Sequence, residues 1–163
     1  PDPTWDDGRY RILVQRDRAW TGDEETERGD GYHVERRNAE VSLTPGTYRF
    51  RLRANPVKAL PASEKGARGK RIGLEAEEAQ LNWLSKTLSR GGMRLESVDR
   101  YREPWLIFSK GSNQRSRLSF VSALFEGMLH VDDPDDAETA IVNGIGPGKG
   151  FGFGLLSLAR PAK

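Results

Sequence analysis

The segment Asn143-Gly144-Ile145-Gly146-Pro147-Gly148-Lys149-Gly150-Phe151-Gly152-Phe153-Gly154-Leu155-Leu156 constrains this chain more than any other, because glycine recurs at every second position from 144 to 154. Glycine takes φ > 0 without steric cost and lets another backbone approach closely. Apolar residues are threaded between the glycines, so the run specifies a shaped, packed loop rather than a flexible tail. Two phosphate-binding readings fail on spacing. A Walker-type loop requires a glycine five positions before its Gly-Lys pair and a Ser or Thr after it, where Asn143 and Gly150 stand. A G-x-G-x-x-G fingerprint meets Lys149, Phe151, Phe153, Leu155 or Ser157 at its last position in every register, and too few residues follow for a βαβ unit.

Hydrophobic periodicity supplies the elements around this loop. Residues Thr47 to Arg53 alternate Tyr48, Phe50 and Leu52 with Arg49, Arg51 and Arg53, which predicts a half-buried strand whose outer face is cationic. Glu75 to Arg90 places Leu81, Leu84 and Leu88 on one helical stripe, with acidic residues in the first turn and Gly91-Gly92 as the stop. Strands are predicted over Met93 to Val98 and Trp105 to Ser109. After the polar loop Lys110 to Ser116, residues Arg117 to Val131 read as a hairpin turning at Glu126-Gly127. Asp133 is an N-cap, Pro134 a first helical residue, and Ala137, Ala140 and Ile141 the buried stripe of a short helix closed by Gly144. A last strand, about Phe151 to Ala159, is expected in the middle of the sheet. The fold class is therefore α+β, a ferredoxin-like or split βαβ domain in the order β-α-β-β-β-α-β. A short strand near Tyr10 to Gln15 and a polar linker to Pro45 precede it.

The net charge of +2 hides a strong asymmetry. Residues 17 to 40 carry eight acidic and four basic side chains, whereas residues 46 to 73 carry eight basic ones against the single Glu64. Such a local excess is the electrostatic footprint of a phosphate backbone, set against the plainer reading of a solvated basic face. The absence of cysteine excludes a disulfide framework and a thiolate metal site, and no apolar run approaches the roughly 20 residues of a membrane helix. A cytoplasmic location without membrane contact is expected.

The glycine run resembles the C-terminal glycine-rich motif of the CRISPR-associated RAMP proteins. Gly144-Ile145-Gly146-Pro147-Gly148-Lys149 through Phe153-Gly154-Leu155-Leu156-Ser157 is similar to one branch, the type I-E repeat endoribonucleases of the CasE family. Tyr48-Arg49-Phe50-Arg51-Leu52-Arg53-Ala54-Asn55-Pro56, followed by Gly69-Lys70-Arg71, is similar to that family's strand and basic loop. The resemblance covers roughly residues 45 to 160. It implies an endoribonuclease that processes precursor CRISPR RNA by metal-independent cleavage in the repeat. Its implied partners are the repeat hairpin and the other subunits of the type I-E surveillance complex. It divides the chain into residues 1–44, the tail of an N-terminal RAMP domain with an acidic linker, and residues 45–163, the C-terminal RAMP domain. Because Pro1 replaces an initiating Met, an upstream part is expected to be missing.

The deep, narrow major groove of A-form RNA favours grip through phosphates by thin basic elements. The candidate RNA-binding residues are Arg49, Arg51 and Arg53 on the strand, Lys58, Lys70 and Arg71 in the basic loop, Arg115 and Arg117 at the hairpin, and Lys149. Gly144, Gly146, Gly148, Gly150 and Gly152 shape the loop, with a purely architectural turn as the alternative. Trp5, Trp20, Trp83 and Trp105 are too dispersed for a stacking platform, so recognition by shape and phosphate contact is expected. Catalytic residues are unknown. His33 and His130 read as ordinary surface or sheet-face histidines, and the resemblance places the catalytic His and Tyr in a first helix upstream of this chain. Asp132, Asp133, Asp135, Asp136 and Glu138 lack EF-hand spacing and fit an N-cap and helix dipole, so no metal and no cofactor is expected. Two other functions compete: a non-catalytic RAMP subunit that scaffolds guide RNA, and a protein-interaction module.

Overall fold

In this computed structural model, residues 4–6, 9–11, 41–61, 69–109 and 117–161 are described. Strands β1 (Thr4–Asp6) and β2 (Arg9–Arg11) pair antiparallel. The strand expected over Tyr10 to Gln15 overlaps β2 only at its start, and the acidic linker lies outside the described residues. The main body follows as β3 (Gly46–Ala54), β4 (Val57–Ala59), β5 (Arg71–Gly73), α1 (Glu77–Ser89), β6 (Met93–Arg102), β7 (Leu106–Ser109), β8 (Arg117–Phe120), β9 (Ala123–Val131), α2 (Pro134–Asn143) and β10 (Leu156–Ala159).

One antiparallel sheet in the order β10-β3-β9-β6 organises the body, while β4-β5 and β7-β8 form two separate ribbons. Alternation along β3 sends Tyr48, Phe50, Leu52 and Ala54 into the core, where Phe125, Leu129 and Val131 of β9 and Leu156 of β10 join them. Leu84 and Leu88 of α1 and Ala137 and Ile141 of α2 close that core from the same side. The other side of the sheet carries Arg49, Arg51 and Arg53 beside Glu126 and His130, and no described helix covers it. Both helices start as their residues dictate. Glu77 and Glu78 sit in the first turn of α1, and the Asp133 carboxylate accepts the Asp136 N–H at 3.1 Å, with Pro134 opening α2.

Three expectations require correction. No hairpin turns at Glu126-Gly127: β9 runs through both residues, and Gly127 instead faces a bulge in β6, where the pairing jumps from Leu95 to Ser97. A Cβ there would run into the Ser97 carbonyl oxygen, so glycine marks close backbone approach rather than a turn. Nor does the last strand lie centrally. The four-residue β10 pairs with β3 alone and forms an edge, while the two nine-residue strands β3 and β9 hold the centre. The strand at Trp105 to Ser109 also leaves the sheet and pairs with β8 as a ribbon.

The order of the sheet gathers its connections. β3 ends at Ala54, β9 begins at Ala123 opposite it, β6 ends at Arg102 opposite Ala123, and β10 begins at Leu156 beside Leu52. Both ribbons and the glycine loop therefore emerge at one end of the sheet. The opposite end is tied differently: the Leu43 N–H donates to Glu138 Oε1 at 2.7 Å, and Arg160 Nη2 donates to Thr44 Oγ1 at 3.1 Å. Hydrogen bonding from Thr44 to the Tyr48 hydroxyl, assisted by the nearby Arg160 guanidinium, holds that phenol below its usual pKa.

Within the loop, Gly154 and Gly150 have opposite requirements. Gly154 has φ +87, and a Cβ on it would stand 2.6 Å from the Ile145 carbonyl oxygen, whereas Gly150 has neither a positive φ nor a neighbour within 4 Å. Gly154→Ala is expected to cost at least about 1–2 kcal/mol from the left-handed backbone alone. That should lower Tm by about 2–4 °C for each kcal/mol. Gly150→Ala should stay within about 0.5 kcal/mol. Thermal denaturation of the two variants side by side checks the contrast.

Candidate nucleic-acid interface

The ribbon β4–β5 carries three of the cations singled out in the sequence. Lys58 stands opposite Ile72 and Ala59 opposite Arg71, and the Leu60 N–H donates to the Lys70 carbonyl at 2.8 Å, which extends the ladder by one residue. Since side chains alternate along a strand, Lys58 and Lys70 share one face and Arg71 occupies the other. All three are exposed, so the ribbon presents positive charge on both faces. It packs at its base, where a Cβ on Gly73 would overlap the side chain of Val121, just beyond β8.

The arginine row of β3 behaves differently along its length. Arg53 forms a bidentate pair with Glu103, with Nε at 3.0 Å from both carboxylate oxygens and Nη2 at 2.6 Å from Oε1, and the Ser122 hydroxyl donates to Glu103 as well. The side chains are 35% and 18% exposed, and fork-to-fork geometry makes this the strongest ion pair described here. Arg51 lies 3.3 Å from Glu126 on the neighbouring strand. Arg49, exposed and opposite Met128, makes no ion pair among the described residues. The row thus divides: Arg53 fastens the end of β3 to the residues after β6, and Arg49 keeps its charge toward solvent.

The glycine loop completes the end of the sheet. Gly144, Gly146, Gly148 and Gly152 all lie at positive φ, and Gly150 does not. Lys149 opens a 3-10 turn, Lys149–Phe151, and is exposed; its Cδ and Cε stand 3.5 Å from where a Cβ on Gly144 would be. The Ile145 N–H donates to the Gly154 carbonyl at 2.7 Å, and the Gly154 N–H donates to the Arg53 carbonyl at 2.8 Å. A Cβ on Gly148 would meet Phe153 at 2.9 Å. There the loop receives ribbon β7–β8. Phe120 lies 5.6 Å from Phe153 and 4.7 Å from Phe151, ring centre to ring centre, and Phe108 lies 5.2 Å from Phe151.

This phenylalanine cluster escaped the sequence reading, which weighed only the tryptophans. The signal was present in Phe151-Gly152-Phe153 and in the apolar positions 106, 108, 118 and 120, which share a ribbon face once β7 and β8 pair. Arg117 lies in β8 with its backbone opposite Ser109; its side chain, Arg115 and His33 lie outside the description. His130 is at the far end of β9, seven residues from Ala123, or about 23 Å at the rise of a strand. It is 30% exposed among Thr47, Glu96 and Asp132, and Arg94 pairs with Asp132 at 3.4 Å. Among the described residues no group of three or more His, Cys, Asp or Glu is placed to hold a metal ion, and no helix is long and apolar enough to cross a membrane.

A ferredoxin-like sheet with helices on one side and a glycine-rich loop before its last strand defines the RAMP class of domain. A family model described as "CRISPR associated protein" matches residues 5–160. The CRISPR-associated endoribonuclease Cse3 of Thermus thermophilus is 40% identical over 130 residues, covering 72% of this chain and 58% of that protein. The CRISPR system Cascade subunit CasE of Escherichia coli is 36% identical over 116 residues, covering 68% and 56%. A solved structure of Thermus thermophilus Cse3 bound to an RNA representing a pre-cleavage complex superposes with a TM-score of 0.62 at 38% identity, covering 75% of this chain and 58% of that one. The chain belongs to the CRISPR-associated protein family, in its type I-E Cse3/CasE branch, and spans somewhat over half the length of the curated relatives it matches.

The split in the arginine row gives a paired expectation. Arg53→Ala, which leaves the half-buried Glu103 carboxylate only the Ser122 hydroxyl, should cost about 1.5–3 kcal/mol in urea denaturation, the range for hydrogen bonds to charged groups. Arg49→Ala should leave stability within about 0.5 kcal/mol. It should instead weaken RNA binding and reduce its salt slope by about one. Equal stability losses in the two variants would erase the distinction.

Proposed function

We propose that this chain grips the stem-loop of a CRISPR repeat RNA, as the RNA-cradling half of an endoribonuclease. That enzyme cuts the precursor transcript within each repeat and stays bound to the hairpin, alongside the other subunits of the type I-E surveillance complex. Residues 45–163 act as its C-terminal domain, and residues 1–44 as the tail and linker of a preceding one. The observation that carries the reading is the gathering of Lys58, Lys70, Arg71 and Lys149 at one end of the sheet, none of them in an ion pair among the described residues. A thin two-stranded ribbon charged on both faces suits an A-form stem, whose phosphates are accessible where its deep groove is not. The names of the relatives, an endoribonuclease and a Cascade subunit, support the same activity and assembly.

The cutting chemistry belongs outside the residues described here. His130 stands at the opposite end of the sheet from the four cations, held among the Glu96 and Asp132 carboxylates and the Thr47 hydroxyl.

Four to six phosphate contacts predict that log affinity for a repeat-type hairpin falls against log salt with a slope of roughly −3 to −5. Fluorescence anisotropy titrations at several salt concentrations measure it, and a flat response would remove the proposal. Incubated with that hairpin and resolved on a denaturing gel, the RNA should remain intact with this chain alone. Cleavage that disappears in His130→Ala would move the active site into this sheet.

A further inference from the structure

The contact between ribbon β7–β8 and the glycine loop leaves more aromatic surface in water than docking requires. Phe153 is 3% exposed, and half-buried Phe120 lies against both it and Phe151, joining the two elements. Phe108 and Phe151 remain 39% and 41% exposed, with Leu118, 50% exposed, opposite Phe108 in the ribbon. Their rings lie 5.2 Å apart at 45°, so they do not seal each other's faces. The backbone around Phe151 is bare as well. Gly150 and Gly152 flank it, and nothing lies within 4 Å of a Cβ built on either, so a flat group can reach the ring without meeting a side chain from its chain neighbours. Lys149 occupies the same 3-10 turn.

Exposed aromatic rings beside a cation, at the same end of the sheet as a basic ribbon, are the arrangement that binds single-stranded nucleic acid: phosphates follow the cations and bases lie on the rings. A protein partner would be served equally by aliphatic side chains, whereas here exposed Leu118 is joined by two exposed phenylalanine rings, one of them in the same turn as Lys149, and a ring face is what a base requires. We infer that Phe108 and Phe151 form a stacking site for an unpaired nucleobase adjoining the gripped RNA stem. This site rests on the RNA-gripping function proposed above and adds to it a second recognition element, for single-stranded RNA, reading the presence of a base rather than its identity. Stacking tolerates any base because every base has a π-face.

The test compares a blunt repeat-type hairpin with the same hairpin carrying an unpaired adenosine tail, at its 5′ or its 3′ end. Each is bound to the whole chain and to two variants. Wild type should hold one tailed RNA roughly tenfold more tightly than the blunt one, within the range seen for loss of a single base–aromatic stack. Phe151→Leu, which preserves apolar volume, should abolish that preference while leaving the blunt affinity, the salt slope and Tm unchanged. Phe151→Trp should keep the preference. Equal wild-type binding of blunt and tailed RNAs would overturn the stacking site while leaving the grip on the stem intact. So would a Phe151→Leu variant that retains the preference, or one that loses both affinities together with Tm, since that ring then only docks the ribbon. If wild type binds neither RNA, the gripping function fails first and the stacking site falls with it.

Discussion

Two backbone hydrogen bonds in series hold the functional end of this molecule together. The bond from Ile145 to Gly154 closes the glycine loop on itself, and the bond from Gly154 to Arg53 fastens the closed loop to the end of β3. Buried backbone groups must find partners, and the loop finds its own across nine residues of chain rather than in a helix or a sheet. Gly154 serves both bonds, and only a residue without a side chain fits where the Ile145 carbonyl approaches. Once the loop is fastened, Phe151 and Phe153 face the ribbon, and β7–β8 has something to lean on. The aromatic contact is thus downstream of a backbone constraint, and the cation at position 149 is positioned by the same closure.

Charge in this domain follows a division of labour that net charge conceals. Close to the framework, arginines meet carboxylates: Arg53 with Glu103, Arg51 with Glu126, and Arg100 with Glu77 at 2.9 Å. Partial burial strengthens such pairs and removes them from competition for phosphate. Away from the framework, on the ribbon and the loop turn, lysines and arginines stand without carboxylates among the described residues. A row of identical side chains on one strand therefore contains both fasteners and a side chain left to solvent.

What the sequence disclosed depended on whether the signal was local. The alternation of β3 and the Asp133-Pro134 start and Gly144 stop of α2 are set by residues within a few positions, and the structure has them as read. The Glu126-Gly127 turn failed because glycine serves both turns and close approach, and only the bulge on a strand some thirty residues earlier in the chain tells them apart. The edge position of β10 was illegible for a similar reason: Leu156 and Leu158 report one buried face and nothing about which strand lies alongside. For the interface, the basic residues of β4–β5 were visible as composition, but the capture of Arg53 by Glu103 links positions fifty apart. The aromatic cluster needed the β7–β8 register before its members could be seen to converge.

Because both ribbons and the glycine loop leave from the same end of the sheet, the core and these connections can change independently. Lengthening a ribbon alters no strand register and exposes no buried leucine. Its entropic penalty also grows only with the logarithm of the added length. A fold arranged this way can be refitted to ligands of different shape by altering its connections alone, while the four-stranded frame and its two helices remain as they are.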